Sequence, residues 1–327
     1  MAPPMVTTVR AVVAAVAILT LLVCSMRLYL RKFITRAFGL DDCLVILAMI
    51  CVLLFAALSI YLTFFGIGRH MDTVPVEQLP TMQYAIYISL CTYLFVASAV
   101  KISLLVFIMR AFPTKLIRWL GLSIIGFLVL LTISGELPLI LQCSPVRAAY
   151  DKTVPNYKCF SSDTLFDIEM YQGVLMFAVD LAIFALPIPT IWKLQMPLQR
   201  RLTIIGLFGL GLVACAAGLA RLPTLVYQKD DTDFTYSGAT PLIWMNVEFG
   251  LALITGSLPS LRILLRKIPG FGSSHKSESK ELTGGNANGH SGFHLRDQKR
   301  WTSKIIGKGR GDVESLASES QERIFRN

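Results

Sequence analysis

Apolar positions dominate seven stretches of the chain, at about 6–28, 43–65, 84–108, 119–141, 171–192, 202–227 and 241–264, with short polar segments between them. An α-helix rises about 1.5 Å per residue, so about 20 apolar residues cross a hydrocarbon core of about 30 Å. Backbone inside lipid must satisfy its own N–H and C=O groups, which a helix does within one segment. The pattern therefore predicts an all-α polytopic membrane protein, a seven-transmembrane helix bundle over residues 1–267. The sixth run is the least uniform, because Arg221 and Pro223 interrupt it.

The polar segments give the bundle a direction. RLYLRKFITR at 27–36, RAFPTK at 110–115, KLQMPLQRR at 193–201 and LRK at 265–267 are basic. The alternate segments carry Asp72 and Glu77, then Asp151, Asp163 and Asp167, then KDDTD at 229–233. Lys and Arg accumulate on the cytosolic side of membrane proteins, so the N-terminus is expected outside and the C-terminus in the cytosol. The first run is read as a retained helix rather than a secretory signal, since its basic flank follows it. From 268 to 327 the chain turns rich in Gly, Ser, Asn and charge, which predicts a disordered cytosolic tail.

Composition agrees with the pattern and narrows it. The chain has 327 residues, 54% of them hydrophobic and 16% charged, and its mean hydropathy is +0.59. That excludes an ordinary soluble domain and makes the lipid bilayer the first partner. The net charge of +10 sits beside the apolar runs and is assigned to orientation, so no nucleic-acid partner is expected. Five cysteines, Cys24, Cys43, Cys51, Cys91 and Cys215, lie in or at the ends of apolar runs and read as small buried side chains. Cys143 and Cys159 lie in a polar segment expected outside, where a disulfide persists.

Charges at membrane depth are costly and usually face a cavity or a partner. Glu136, Glu169, Asp180, Arg221 and Glu248 fall between the middle and the expected outer end of the bundle, a position suited to a ligand pocket or to catalysis. Asp180, Arg221, Glu248 and Glu136 are the candidate ligand-binding or catalytic groups, with Tyr87, Tyr171 and Trp244 as aromatic walls. Arg221 pairing with one of the acids is the structural alternative. Lys101 falls in the inner half of the third run, and snorkelling or a partner such as Asp41 or Asp42 accounts for it.

Several chemistries lack their residues. The seventh run holds no lysine for a retinal Schiff base. The third run ends in KISLLVFIMRAF and the seventh in GSLPSLRILLRK, neither of which carries the signatures of the common seven-helix receptors. His70, His275, His290 and His294 all fall outside the apolar runs, so no metal centre is expected. No GxSxG, Walker or dinucleotide pattern occurs in a suitable context, and no cofactor is expected.

FGLDDCLVILAMI at 38–50, KISLLVFIMRAF at 101–112, CSPVRAAYDKTVPNYKC at 143–159, DLAIFALPIPTIWKLQMPLQRR at 180–201 and EFGLALITGSLPSLRILLRK at 248–267 together resemble the fungal rhodopsin-domain integral membrane family. The resemblance implies seven helices. It also places the chain among receptor-like proteins of filamentous fungi and membrane proteins encoded in secondary-metabolite gene clusters. Cys43 and Tyr150 stand where the family usually has tryptophan. The cysteine-rich extracellular domain of some receptor members is not expected before the first helix.

Two functional readings stand, with a transporter third. A receptor-like sensor would take a small lipophilic ligand in the outer half of the bundle, shift the fifth and sixth helices, and expose a cytosolic surface at 193–201 and the tail to signalling partners. A membrane-embedded enzyme or accessory protein of secondary metabolism would cyclise or isomerise a lipophilic substrate without redox chemistry, together with biosynthetic partners. Either would reside in the plasma membrane or an endomembrane.

Overall fold

A computed structural model describes residues 4–151, 153–189, 209, 211–224 and 233–267. Among the described residues, six helices are long and apolar enough to cross a membrane. They are α1 (Pro4–Tyr29), α2 (Leu40–Phe65), α3 (Leu79–Ala111), α4 (Lys115–Ile140), α5 (Ser162–Ala185) and α7 (Ala239–Lys267). Between α5 and α7 lies a shorter apolar helix, α6, over Gly211–Thr224. The sixth predicted span is thus described only in part. The expected basic segment at 193–201 and the tail at 268–327 lie outside the described residues.

Local chemistry sets the helix ends. The Asp42 carboxylate accepts the Gly39 N–H at 3.1 Å, Thr114 Oγ1 accepts the Ile117 N–H at 3.3 Å, and Ser161 Oγ accepts the Thr164 N–H at 3.2 Å. Each satisfies a donor that the first helical turn leaves without an intrahelical partner. α2 stops at Gly66, whose φ of 134° a side chain would resist, and Gly68 at φ 89° turns the chain again. α5 ends at Ala185, two residues before Pro187, as a proline ring crowds the preceding turn.

The helices run alternately up and down, giving the bundle two distinct ends. One is closed by a short antiparallel pair, Cys143–Ser144 with Lys158–Cys159, and by the Cys143–Cys159 disulfide. Above α3, Tyr150 of this loop packs edge-on against Tyr84 at 4.9 Å. A second connection ties the segment after α2 to the start of α7. Gly68 N–H donates to Thr235 O at 2.8 Å, and His70 stacks on Tyr236 with ring centroids 4.6 Å apart. Leu54, Leu130 and Trp119 are exposed on the outside of the bundle, where lipid would cover them.

The opposite end is held by charge. Arg27 of α1 is wholly buried; its guanidinium lies 3.1 Å from Asp41 and 3.5 Å from Asp42 and donates to Gly256 O of α7 at 2.5 Å. Arg31 reaches Asp41 at 2.5 Å and Ser260 Oγ at 3.2 Å, and Arg110 at the end of α3 also pairs with Asp41. Asp41 and Asp42 are therefore occupied by α1 and α3, not by Lys101. Of the cysteines expected to be buried, Cys24 and Cys215 are, whereas Cys43 is exposed at the first turn of α2.

Candidate functional site

The deepest polar cluster joins three helices. Each Cα–Cβ bond in a helix tilts toward its N-terminus, which for α3 lies at the disulfide end, so the Lys101 side chain extends that way. Its Nζ meets Asp180 Oδ1 of α5 at 2.5 Å and Glu248 Oε1 of α7 at 3.2 Å. The three side chains are 4, 17 and 6% exposed. α6 passes close by: a Cβ on Gly218 would lie 3.5 Å from Asp180 Oδ2 and 3.7 Å from Glu248 Oε2. One ammonium thus faces two carboxylates, so the pairing that the structural alternative assigned to Arg221 is made by Lys101.

Arg221 lies one turn beyond Gly218, about 4.5 Å nearer the disulfide end. Its guanidinium carbon stands 3.8 Å above the Tyr93 ring centroid, a cation–π contact. The residue is 4% exposed, and its Nε, like the Tyr93 hydroxyl, has no hydrogen-bond partner among the described residues. Tyr93 in turn packs on Phe249 at 5.8 Å, and Phe249 on Phe55 at 5.5 Å, which fills the bundle centre with aromatic carbon.

Arg221 and Tyr93 form part of the wall of a cavity of about 480 Å³ at the disulfide end. That size is ordinary for a small-molecule site, where about 300–1,000 Å³ is usual. Leu62, Ile86, Phe166, Leu242 and Met245 make its wall mostly apolar, and Glu169 and Gln172 of α5 add polar groups. Phe234, one residue from the contact between His70 and Asp233, also lines it. There His70 Nδ1 is 2.5 Å from Asp233 Oδ2, and Met71 N–H donates to Asp233 Oδ1 at 2.9 Å. Burial pushes the Asp233 carboxyl up, but the hydrogen bonds from His70, Met71 and Thr235 outweigh it and hold the group below its ordinary range.

The sequence candidates separate in space. Arg221 lines the cavity; Asp180 and Glu248 lie beside it around Lys101 and are not on its wall. Glu136 is buried and accepts the Leu94 N–H at 3.0 Å, tying α4 to α3. Tyr87 donates to Ile140 O at 3.0 Å and lines a second cavity of about 270 Å³. Tyr171 is 52% exposed, facing away from the bundle, and Trp244 is half-buried off the cavity wall. Lys101 is the central group that depth along the chain alone did not single out. The N-terminal tilt of helical side chains was the available signal for Lys101. Among the described residues no cluster of His, Cys, Asp and Glu is suited to a metal ion.

The chain is similar to several fungal membrane proteins. "Fugralins biosynthesis cluster protein 2" of Gibberella zeae is 29% identical over 58% of this chain and 48% of its own length. The "SAT4 family membrane protein" of Emericella nidulans is 25% identical over 72% of this chain and 59% of its own. "Receptor GIN3" of Arthrobotrys oligospora is 25% identical over 55% and 43%, respectively. The chain thus spans about half the length of the first of these relatives. No solved structure matches it. The fungal rhodopsin domain model matches residues 26–267, from the buried Arg27 through all of α7. The chain is an integral membrane protein and belongs to the fungal rhodopsin domain family.

Proposed function

We propose that this protein is a receptor-like sensor of a small lipophilic ligand, bound in the cavity at the disulfide end. The observation that carries this reading is the cavity itself: apolar walls surround a buried guanidinium, Arg221, next to a charged cluster that joins α3, α5 and α7. Met245 of α7 lines the cavity, and further along the same helix Gly256 and Ser260 bond to Arg27 and Arg31 at the opposite end. A ligand that favours one arrangement of α7 would bias both ends, which is the requirement for coupling between sites. The relative named as a receptor supports the reading.

The test is a screen of lipophilic metabolites against the purified full chain. Binding of N but not of the unfolded state raises thermal stability, so a true ligand is found as a shift in melting temperature. The same compound should then change the set of proteins labelled by a proximity enzyme fused to the C-terminus in cells. A compound that binds without altering that set would overturn the sensor reading.

A second reading, a non-redox enzyme or accessory protein of secondary metabolism, is supported by two relatives whose names refer to biosynthesis clusters. Deleting the gene and profiling products separates the two. Loss of one product with accumulation of its precursor, repeated by Asp180→Asn or Glu248→Gln in a folded protein, would favour the enzyme.

A further inference from the structure

Two opposite charges line the cavity close enough to act on each other electrostatically, yet without direct contact. Arg221 and Glu169 both form part of its wall, yet no ion pair within 4.0 Å joins them, and Glu169 makes no hydrogen bond among the described residues. Arg221 is 4% exposed, and its Nε likewise has no acceptor there. The remaining cation nearby, Lys101, is held by Asp180 and Glu248. Leaving a buried guanidinium without hydrogen bonds is costly, and Glu169 is itself half-buried, so an occupant that satisfies both groups is favoured over one that does not.

We infer that the cavity takes an apolar amino acid or short apolar peptide as a zwitterion, its carboxylate against Arg221, its ammonium against Glu169 and its side chains along Leu62, Ile86 and Phe166. The inference rests on the cavity being the ligand site, as proposed above, and adds the ligand's polar chemistry. Pairing of each group, rather than net charge, separates this class from simpler ones. A fatty acid alone would add a fourth carboxylate beside Asp180, Glu248 and Glu169, with Glu169 still lacking a direct partner. A simple amine would leave Arg221 unpaired. A zwitterion adds no net charge and supplies both an acceptor for the guanidinium, through the two-pronged geometry that arginine and carboxylate share, and a donor for the glutamate.

The probe is phenylalanyl-leucine, compared with its C-terminal methyl ester, its N-acetyl derivative and the doubly blocked form, on the purified full chain in lipid nanodiscs by equilibrium binding. The free dipeptide is expected to bind most tightly, with each single block weakening it at least about tenfold, the factor a charge-assisted hydrogen bond supplies. Arg221→Gln should then erase the difference between acid and ester, and Glu169→Gln that between amine and amide, as in a double-mutant cycle. Should either variant fail to fold, the four compounds on the unaltered chain still decide the matter. Equal or tighter binding of the doubly blocked form overturns the zwitterion while leaving a lipophilic cavity intact. Failure of all four to bind, with neutral lipophiles bound, does the same. Failure of every compound, neutral lipophiles included, overturns both.

Discussion

The ammonium of Lys101 lies 2.5 Å from Asp180 Oδ1, a direct ionic link between α3 and α5 inside the apolar part of the bundle. Removing one partner of a buried pair leaves the other unpaired, which typically costs about 3–5 kcal/mol. Lys101→Met is therefore expected to lower the thermal stability of the detergent-purified chain sharply, since two carboxylates lose their counter-ion. Lys101→Met combined with Asp180→Asn should cost less than the sum of the single changes. Strict additivity would show that the link contributes nothing.

Gly218 offers a graded test of how closely α6 approaches the cluster. A Cβ there meets Asp180 and Glu248 only at ordinary contact distance. Gly218→Ala should thus be neutral or stabilising by up to about 1 kcal/mol, as alanine loses less backbone freedom on entering a helix. Gly218→Leu pushes carbon into the carboxylates and should cost about 1–3 kcal/mol. Melting curves of the two variants side by side decide this.

Arg27 hydrogen-bonds to Asp41 and to a carbonyl and forms an ion pair with Asp42 at 3.5 Å, and its guanidinium carbon is 4.8 Å from the Phe107 ring centroid. Lysine keeps the charge and loses the planar fork and the stacking. Arg27→Lys is expected to destabilise the chain by more than the about 0.5 kcal/mol typical of surface changes. Wild-type melting behaviour would refute that role.

The Asp233 contact predicts a pH response at the disulfide end. Its carboxyl is held below the ordinary value by His70, the Met71 N–H and Thr235 despite some burial. A depressed folded value means that the stabilisation is present above the unfolded carboxylate's pKa, about 3.9, and is lost as pH falls through the folded value. Hydrogen exchange of the Met71 amide should accordingly show protection that weakens under acid in the wild type. In Asp233→Asn that acid dependence should be absent.

Closing the loop of sequence separation 16 by the Cys143–Cys159 disulfide restricts the unfolded chain. For a loop of that size the chain-entropy estimate is about 3 kcal/mol. The double change Cys143→Ser with Cys159→Ser should lower the melting temperature. A reducing agent should do the same to the wild type and nothing to the variant.

Six apolar spans, the disulfide and the polar character of the bundle centre were legible in the chain, because apolar run length and loop composition act along one dimension. Azimuth was not. Asp180, Arg221 and Glu248 fall at related depths, yet α6 turns Arg221 onto Tyr93 and into the cavity while Gly218 faces the acids. Lys101 looked destined for the far interface because its position was counted along α3 without the tilt of its side chain. Glu136 shows the same limit: its depth suggested a ligand, but its face of α4 meets the Leu94 amide. Apolar helices leave few periodic clues, since lipid and protein neighbours both accept leucine.

α7 is pinned at two levels, by Lys101 at Glu248 and by Arg27 and Arg31 at Gly256 and Ser260. A rod clamped at two points can neither slide along its axis nor roll about it without breaking both clamps together. Beside the first clamp, α7 also packs closely on α1, where Gly250 faces Val16 and Thr20. A shift of α7 begun at one level must therefore be felt at the other, as turning one end of a key turns its bit.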